Sequence, residues 1–139
     1  MAFKNPALSN PKARVQSFTV SYTLPYTDAA SANFYQAIYW IAPAKCVVDS
    51  VEARWGTASS SGTVTVHKVP SGTAKDAGTA LLASTISTAG TAATKTVGTL
   101  ATTAATLELA AGDGLQLVDG GTLTSLVDLT VTVGLHWIA

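Results

Sequence analysis

The chain has little charge, a single cysteine, two histidines and no long apolar run. Charged residues make up 12% of it, about half the share of roughly 25% found in soluble domains. Eight Lys and Arg balance eight Asp and Glu, giving a formal net charge of zero. A nucleic-acid binder that works by neutralising phosphates needs a basic excess, so that class is excluded. No stretch approaches the ~20 consecutive apolar residues of a membrane-spanning helix, and no membrane partner is expected. Cys46 stands alone and cannot close an intrachain disulfide. It reads as a small buried hydrophobe in a strand. The N-terminal MAFKNPALSNPKAR has no apolar core of a secretory signal, and no Asn-x-Ser/Thr sequon occurs. These features predict synthesis and folding in a reducing cytoplasm.

What replaces charge is small and neutral. The 139 residues include 24 Ala, 21 Thr, 12 Ser and 11 Gly, close to half the chain. Apolar residues reach 47% and mean hydropathy is +0.33, too apolar for a disordered chain. A domain of this length buries roughly two-thirds of its unfolded surface, enough for one core.

Residues 1–14 differ from the rest. They hold Lys4, Lys12 and Arg14, with no acid before Asp28, and two Asn-Pro steps at Pro6 and Pro11. Proline removes a backbone donor and holds its predecessor extended, so this segment reads either as an extended arm outside a domain spanning 15–139 or as a loose terminus. The arm accounts for three cations, leaving five cations against eight acids on residues 15–139. The zero total therefore divides into a basic arm and a body of net charge −3.

From Val15 the apolar period becomes two. Phe18, Val20, Tyr22 and Leu24 alternate with Ser17, Thr19, Ser21 and Thr23, the pattern of a half-buried strand. Val127, Leu129, Val131, Val133, Leu135 and Trp137 repeat it near the C-terminus. Residues 34–41 (FYQAIYWI) are apolar on both faces, with Phe34, Ile38 and Trp40 opposing Tyr35, Tyr39 and Ile41. Cys46 to Trp55 aligns Val47, Val51, Ala53 and Trp55, with Asp49 an intruder, and Thr63 to Val69 turns Val64 and Val66 inward. Leu107–Leu109 and Leu115–Leu117 read as two short strands joined by a hairpin at 110–114, since Gly and Asp tolerate positive φ. Asp119-Gly120-Gly121 reads as the next turn. Between Ser71 and Thr106, recurring glycines and abundant Thr argue against helix, and two short strands are expected near Leu81–Ser87 and Thr94–Leu100. Eight or nine strands with turns about every ten residues predict an all-β sandwich or jelly-roll-like domain.

Catalytic chemistry finds no foothold. His67 lies in a Thr-rich strand and His136 on the polar face of the last one, with no second ligand at a metal-binding spacing. Asp113 and Asp119 occupy expected turns, and no Asp-x-Asp-x-Asp calcium array exists. The glycine-rich 72–79 lacks the lysine of a phosphate-binding loop, and Ser59-Ser60-Ser61-Gly62 is not a nucleophile elbow. No enzyme, metal or cofactor is predicted. Aromatics are the residues left to bind a partner. Trp40 and Trp137 sit in apolar strands and read as core. Tyr35, Tyr39 and Ile41 read as candidates for a subunit interface; Tyr26, in the expected loop after Pro25, and Tyr35 or Tyr39 read as the exposed aromatics, with Tyr26 the candidate for stacking on a sugar ring.

The stretch from Gly62 to Ile138 resembles small structural proteins of tailed-bacteriophage virions. The features are the strand TVTVHKV, then Pro70-Ser71-Gly72-Thr73-Ala74, a Thr/Ala-rich middle, and TLELAAGDGLQLVDGGTLTSLVDLTVTVGL. Capsid decoration (cement) proteins and tail-associated sandwich domains look like this, over a little more than half the chain. The resemblance implies a virion location and a homo-oligomer, a trimer being favoured. It also implies contact with the major capsid protein through a terminal arm, here Lys4, Pro6, Pro11, Lys12 and Arg14. A carbohydrate-binding module and a tail or baseplate component are the alternatives.

Overall fold

The structure, a computed structural model, describes residues 16–26 and 37–138. The basic arm, Asp28 and Tyr35 lie outside these residues. Among the described residues there are ten strands and a single helical turn, arranged as two antiparallel sheets packed face to face. The fold is an all-β sandwich. β1 (Ser17–Tyr26), β10 (Val127–Trp137), β3 (Cys46–Arg54) and β7 (Thr96–Val97) follow one another across the first sheet, with β8 (Glu108–Leu109) also on β3. The second sheet runs β2 (Ile38–Ile41), β9 (Gly114–Thr122), β4 (Ser61–Val69), β5 (Thr79–Ala80), with β6 (Ile86–Ser87) also on β4.

Period-two patterning dictates the core. Leu129, Val131, Val133 and Leu135 of β10 are buried against Val64 and Val66 of β4 and Leu115 and Leu117 of β9, within one cluster. Their alternate neighbours Thr130, Thr132 and Gly134 face outward beside Ser21, Thr23 and Thr19 of β1. Ser21 and Thr132 hydroxyls bond across the strands at 2.9 Å, so the outer face over β1 and β10 is a ladder of neutral hydroxyls.

The structure corrects the sequence reading where pairing departs from regularity. In β3 the inward residues are Cys46 and Val48, then Val51 and Ala53. A bulge resets the phase: Ser50 pairs with Gly134 and Val48 with Leu135, leaving Asp49 as the extra residue. Val47, expected inside, therefore shares the outer face with Asp49. The 107–117 hairpin does not form. β8 pairs with β3 in one sheet and β9 with β2 and β4 in the other, so residues 110–113 cross between sheets. The buried Asp113 carboxylate secures this crossing by accepting the Ala110 and Ser71 amides at 2.9 and 3.1 Å. Gly120 and Gly121, expected in a turn, lie inside β9 opposite Thr63 and Gly62. The two strands expected within 71–106 become three two-residue pieces along the edges of β3 and β4. One turn of helix, α1 (Ala104–Leu107), precedes β8.

The loop after β4 straps the second sheet from outside. Gln116 of β9 is fully buried on the face opposite Leu115 and Leu117. Its amide donates to the Asp76 carboxylate at 2.6 Å and its carbonyl accepts the Asp76 amide at 3.2 Å. A buried amide is stable only when paired, and here the pairing holds the 70–78 loop in place. Lys75, first, and Gln116 hold the Asp76 carboxyl below the usual carboxylate range.

A candidate interaction surface at the open side of the sandwich

β1 and β2 are the terminal strands of the two sheets, and they lie on the same side of the sandwich. Their aromatic side chains join them: Phe18 is 5.8 Å from Trp40, and Tyr22 is 5.1 Å from Tyr39, centroid to centroid. Phe18 also stacks on Trp137 at 4.2 Å, with ring planes 18° apart. Offset or tilted aromatic contacts add about 0.5–1.5 kcal/mol each beyond area burial. These rings are only partly buried, so the seam closes the core on this side while leaving apolar surface at its margin.

Why these rings gather follows from an irregularity in β2. Ile38 pairs with Gln116, Trp40 with Leu115 and Ile41 with Gly114, which makes Tyr39 the extra residue. Simple alternation predicts Tyr39 on the face of Ile41 and Trp40 on the face of Ile38. The bulge instead turns Tyr39 and Trp40 together toward β1, and leaves Ile38 and Ile41 at 39% and 63% exposure. Tyr39, expected to be exposed, is thus half-buried against Tyr22, whereas Ile41 stands open. Tyr26 is not in a loop: it ends β1 opposite Val127. The sequence reading missed Ile38 as an exposed residue, because no local pattern announces a bulge in a four-residue strand.

The Tyr39 hydroxyl is buried without a hydrogen-bond partner, and burial pushes its pKa well above the usual tyrosine value. A desolvated, unpaired hydroxyl costs about 1–3 kcal/mol. Tyr39→Phe is therefore expected to raise the thermal midpoint, or at least leave it unchanged. A clear drop on a melting curve would mean that the hydroxyl has a partner in solution.

The histidines sit away from this seam. His67 is half-buried on β4 opposite Gln116, and its Nδ1 lacks a partner; burial lowers its pKa. His136 lies 2.8 Å from both carboxylate oxygens of Asp49. The pair is open to solvent, with side-chain exposures of 26% and 45%, and it pins the β3 bulge to β10. Among the described residues no group of three His, Cys, Asp or Glu side chains could hold a metal ion, and no helix is long and apolar enough to cross a membrane. Cys46 is fully buried, and that burial raises its thiol pKa. Lys45 with Glu108 and Lys95 with Glu52 form exposed ion pairs at 2.7 and 3.4 Å, each worth little. A shallow depression of about 340 Å³ lies between Glu52, Arg54, Lys95, Thr130 and Thr132 on the outer face of the first sheet.

No family model and no curated protein matches this chain. Among solved structures it is similar to a chain of the cyanophage Pam1 capsid asymmetric unit, with 17% identity and a TM-score of 0.49, covering 89% of this chain and 85% of that one. It is also similar to a chain of infectious bursal disease virus, Gx strain, with 10% identity and a TM-score of 0.44, covering 89% of this chain and 32% of that one. A third likeness, to the disulfide-linked pili of Bacillus endospore appendages, has 16% identity and a TM-score of 0.36, over 90% and 89% of the two chains.

Proposed function

We propose that this chain is a non-enzymatic structural protein of a bacteriophage virion, which decorates and stabilises the capsid as a homo-oligomer, with a trimer as the favoured form. The observation that carries the reading is the open side of the sandwich. There Ile38 and Ile41 stand exposed beside a half-buried aromatic seam, next to the neutral Ser and Thr that β1 and β10 present on the outer face of the first sheet. Such surface is inexpensive to desolvate compared with Lys or Glu, which favours close contact between subunits. The basic residues Lys4, Lys12 and Arg14 precede β1 directly in the chain and are suited to an acidic surface of the major capsid protein. The resemblance of residues 62–138 to virion proteins supplies the class of assembly.

Deleting residues 1–14 tests the arm. The truncated sandwich is expected to keep its melting transition and to lose most of its occupancy on purified empty shells. Full occupancy by the truncated protein would remove the arm from the reading. Mass spectrometry of separated heads and tails tests the location, and recovery in tails alone would replace the capsid role with a tail or baseplate one.

A further inference from the structure

The open edge of β1 has its own recognition chemistry. β1 pairs with β10 through an antiparallel register with no shift from Ser17↔His136 to Leu24↔Leu129. The Trp137 amide donates to the Gln16 carbonyl at 3.0 Å. In an antiparallel pair, hydrogen-bonded and non-hydrogen-bonded residues alternate. The backbone groups of residues 16, 18, 20, 22 and 24 therefore face β10, and those of Ser17, Thr19, Ser21 and Thr23 face away. Among the described residues no strand pairs with that outward edge. Pro25 is the next residue of the outward set, so the amide it lacks falls on the open edge and costs β10 nothing.

Natural edges of this length are normally blunted by lysine, proline, bulges or short strands. From Ser17 to Thr23 there is no charged residue, no proline and no register shift. The sequence is also close to self-complementary. A two-fold axis through Val20 sets Ser17 opposite Thr23, Thr19 opposite Ser21 and Phe18 opposite Tyr22. Hydroxyls meet hydroxyls on the outer face, and half-buried apolar groups meet on the inner one. Every outward amide and carbonyl of the four residues then finds a partner. We propose that the β1 edge is a self-pairing site, at which β1 of a second copy adds antiparallel to extend the first sheet across the two-fold axis. This contact is independent of the virion reading. It joins two copies, or two trimers, and cannot by itself build a trimer.

The experiment uses the full chain. Val20↔Val20 would be a non-hydrogen-bonded pair with Cα atoms about 4.5 Å apart, within disulfide reach, so Val20→Cys is expected to form a covalent dimer under mild oxidation. Cys46, being buried, should give no such product in the unmodified chain. Thr19→Lys with Ser21→Lys sets like charges opposite one another on an exposed face, and is expected to halve the sedimenting mass while the circular dichroism of the sandwich is retained. The unmodified chain should sediment as an even number of copies. A mass of one or three copies at tens of micromolar, or no covalent dimer from Val20→Cys, overturns the proposal whether or not the protein proves to be a capsid component. Loss of shell binding with β1 pairing intact would count only against the virion reading.

Discussion

Trp55→Ala is expected to destabilise the fold by about 3–5 kcal/mol, the range for deleting a buried aromatic. Trp55 follows β3 immediately and is 1% exposed, making it the largest fully buried side chain among the described residues. Its loss empties a volume that flanking Ala, Thr and Gly side chains cannot refill. It also removes an anchor. The indole nitrogen donates to the Gly90 carbonyl at 3.3 Å, and the Trp55 carbonyl accepts the Ala93 amide at 2.7 Å. The 89–95 segment has no strand of its own and packs on Trp55 through Gly90, with Ala92 against the core. Two readouts are expected to move together: a lower denaturant midpoint, and faster proteolysis within 89–95. Trp55→Phe retains most of the apolar contact and should lose about 1 kcal/mol from the missing hydrogen bond. An alanine variant within 1 kcal/mol of the parent would show that the sandwich collapses around the site.

Gly121→Val is expected to cost about 2–5 kcal/mol, joining left-handed backbone strain to a steric clash. Gly121 has φ +66° inside β9, where a Cβ would collide with the Ser61 carbonyl oxygen of the paired β4. A carbonyl in a ladder cannot rotate away, unlike the end of a side chain. Gly72 provides the control, because it has φ +85° with open space around it. Gly72→Ala should lose only the left-handed penalty, roughly 1–2 kcal/mol. Chemical denaturation of both variants separates strain from collision, and equal losses would assign the whole effect at Gly121 to backbone conformation.

These two positions show how far the sequence is legible. Alternation aligns Trp55 with Val51 and Ala53, and it is buried with them, because these three residues lie wholly beyond the bulge at Asp49. Val47 lies on the other side of that bulge, so simple alternation puts it on the wrong face. Gly121, which reads as part of a turn, adopts the positive φ that glycine permits, yet it sits within a strand. A positive φ is a local property, whereas the nearness of Ser61 depends on a strand sixty residues away. The candidate surface divides similarly. Ile41 was singled out and is exposed. Tyr39 was expected beside it and instead faces Tyr22, since a bulge in β2 is set by pairing with β9.

The sequence alone determined the all-β class, the inward residues of β1, β4 and β10, and the uneven spread of charge, with three cations and no acid in residues 1–14. Each of these depends on the alternation of neighbouring side chains or on a count of charges, which need no knowledge of partners. Only the tertiary structure decided which strands share a sheet, where β2 and β3 bulge, and that β1 and β2 end the two sheets on the same side. Those are properties of pairing between distant segments, where the backbone hydrogen bonds available to one strand are fixed by its neighbour. The scarcity of charge draws its meaning from that arrangement. It leaves β1 with a neutral, unguarded edge, on the same side of the sandwich as the exposed isoleucines and the half-buried aromatic seam.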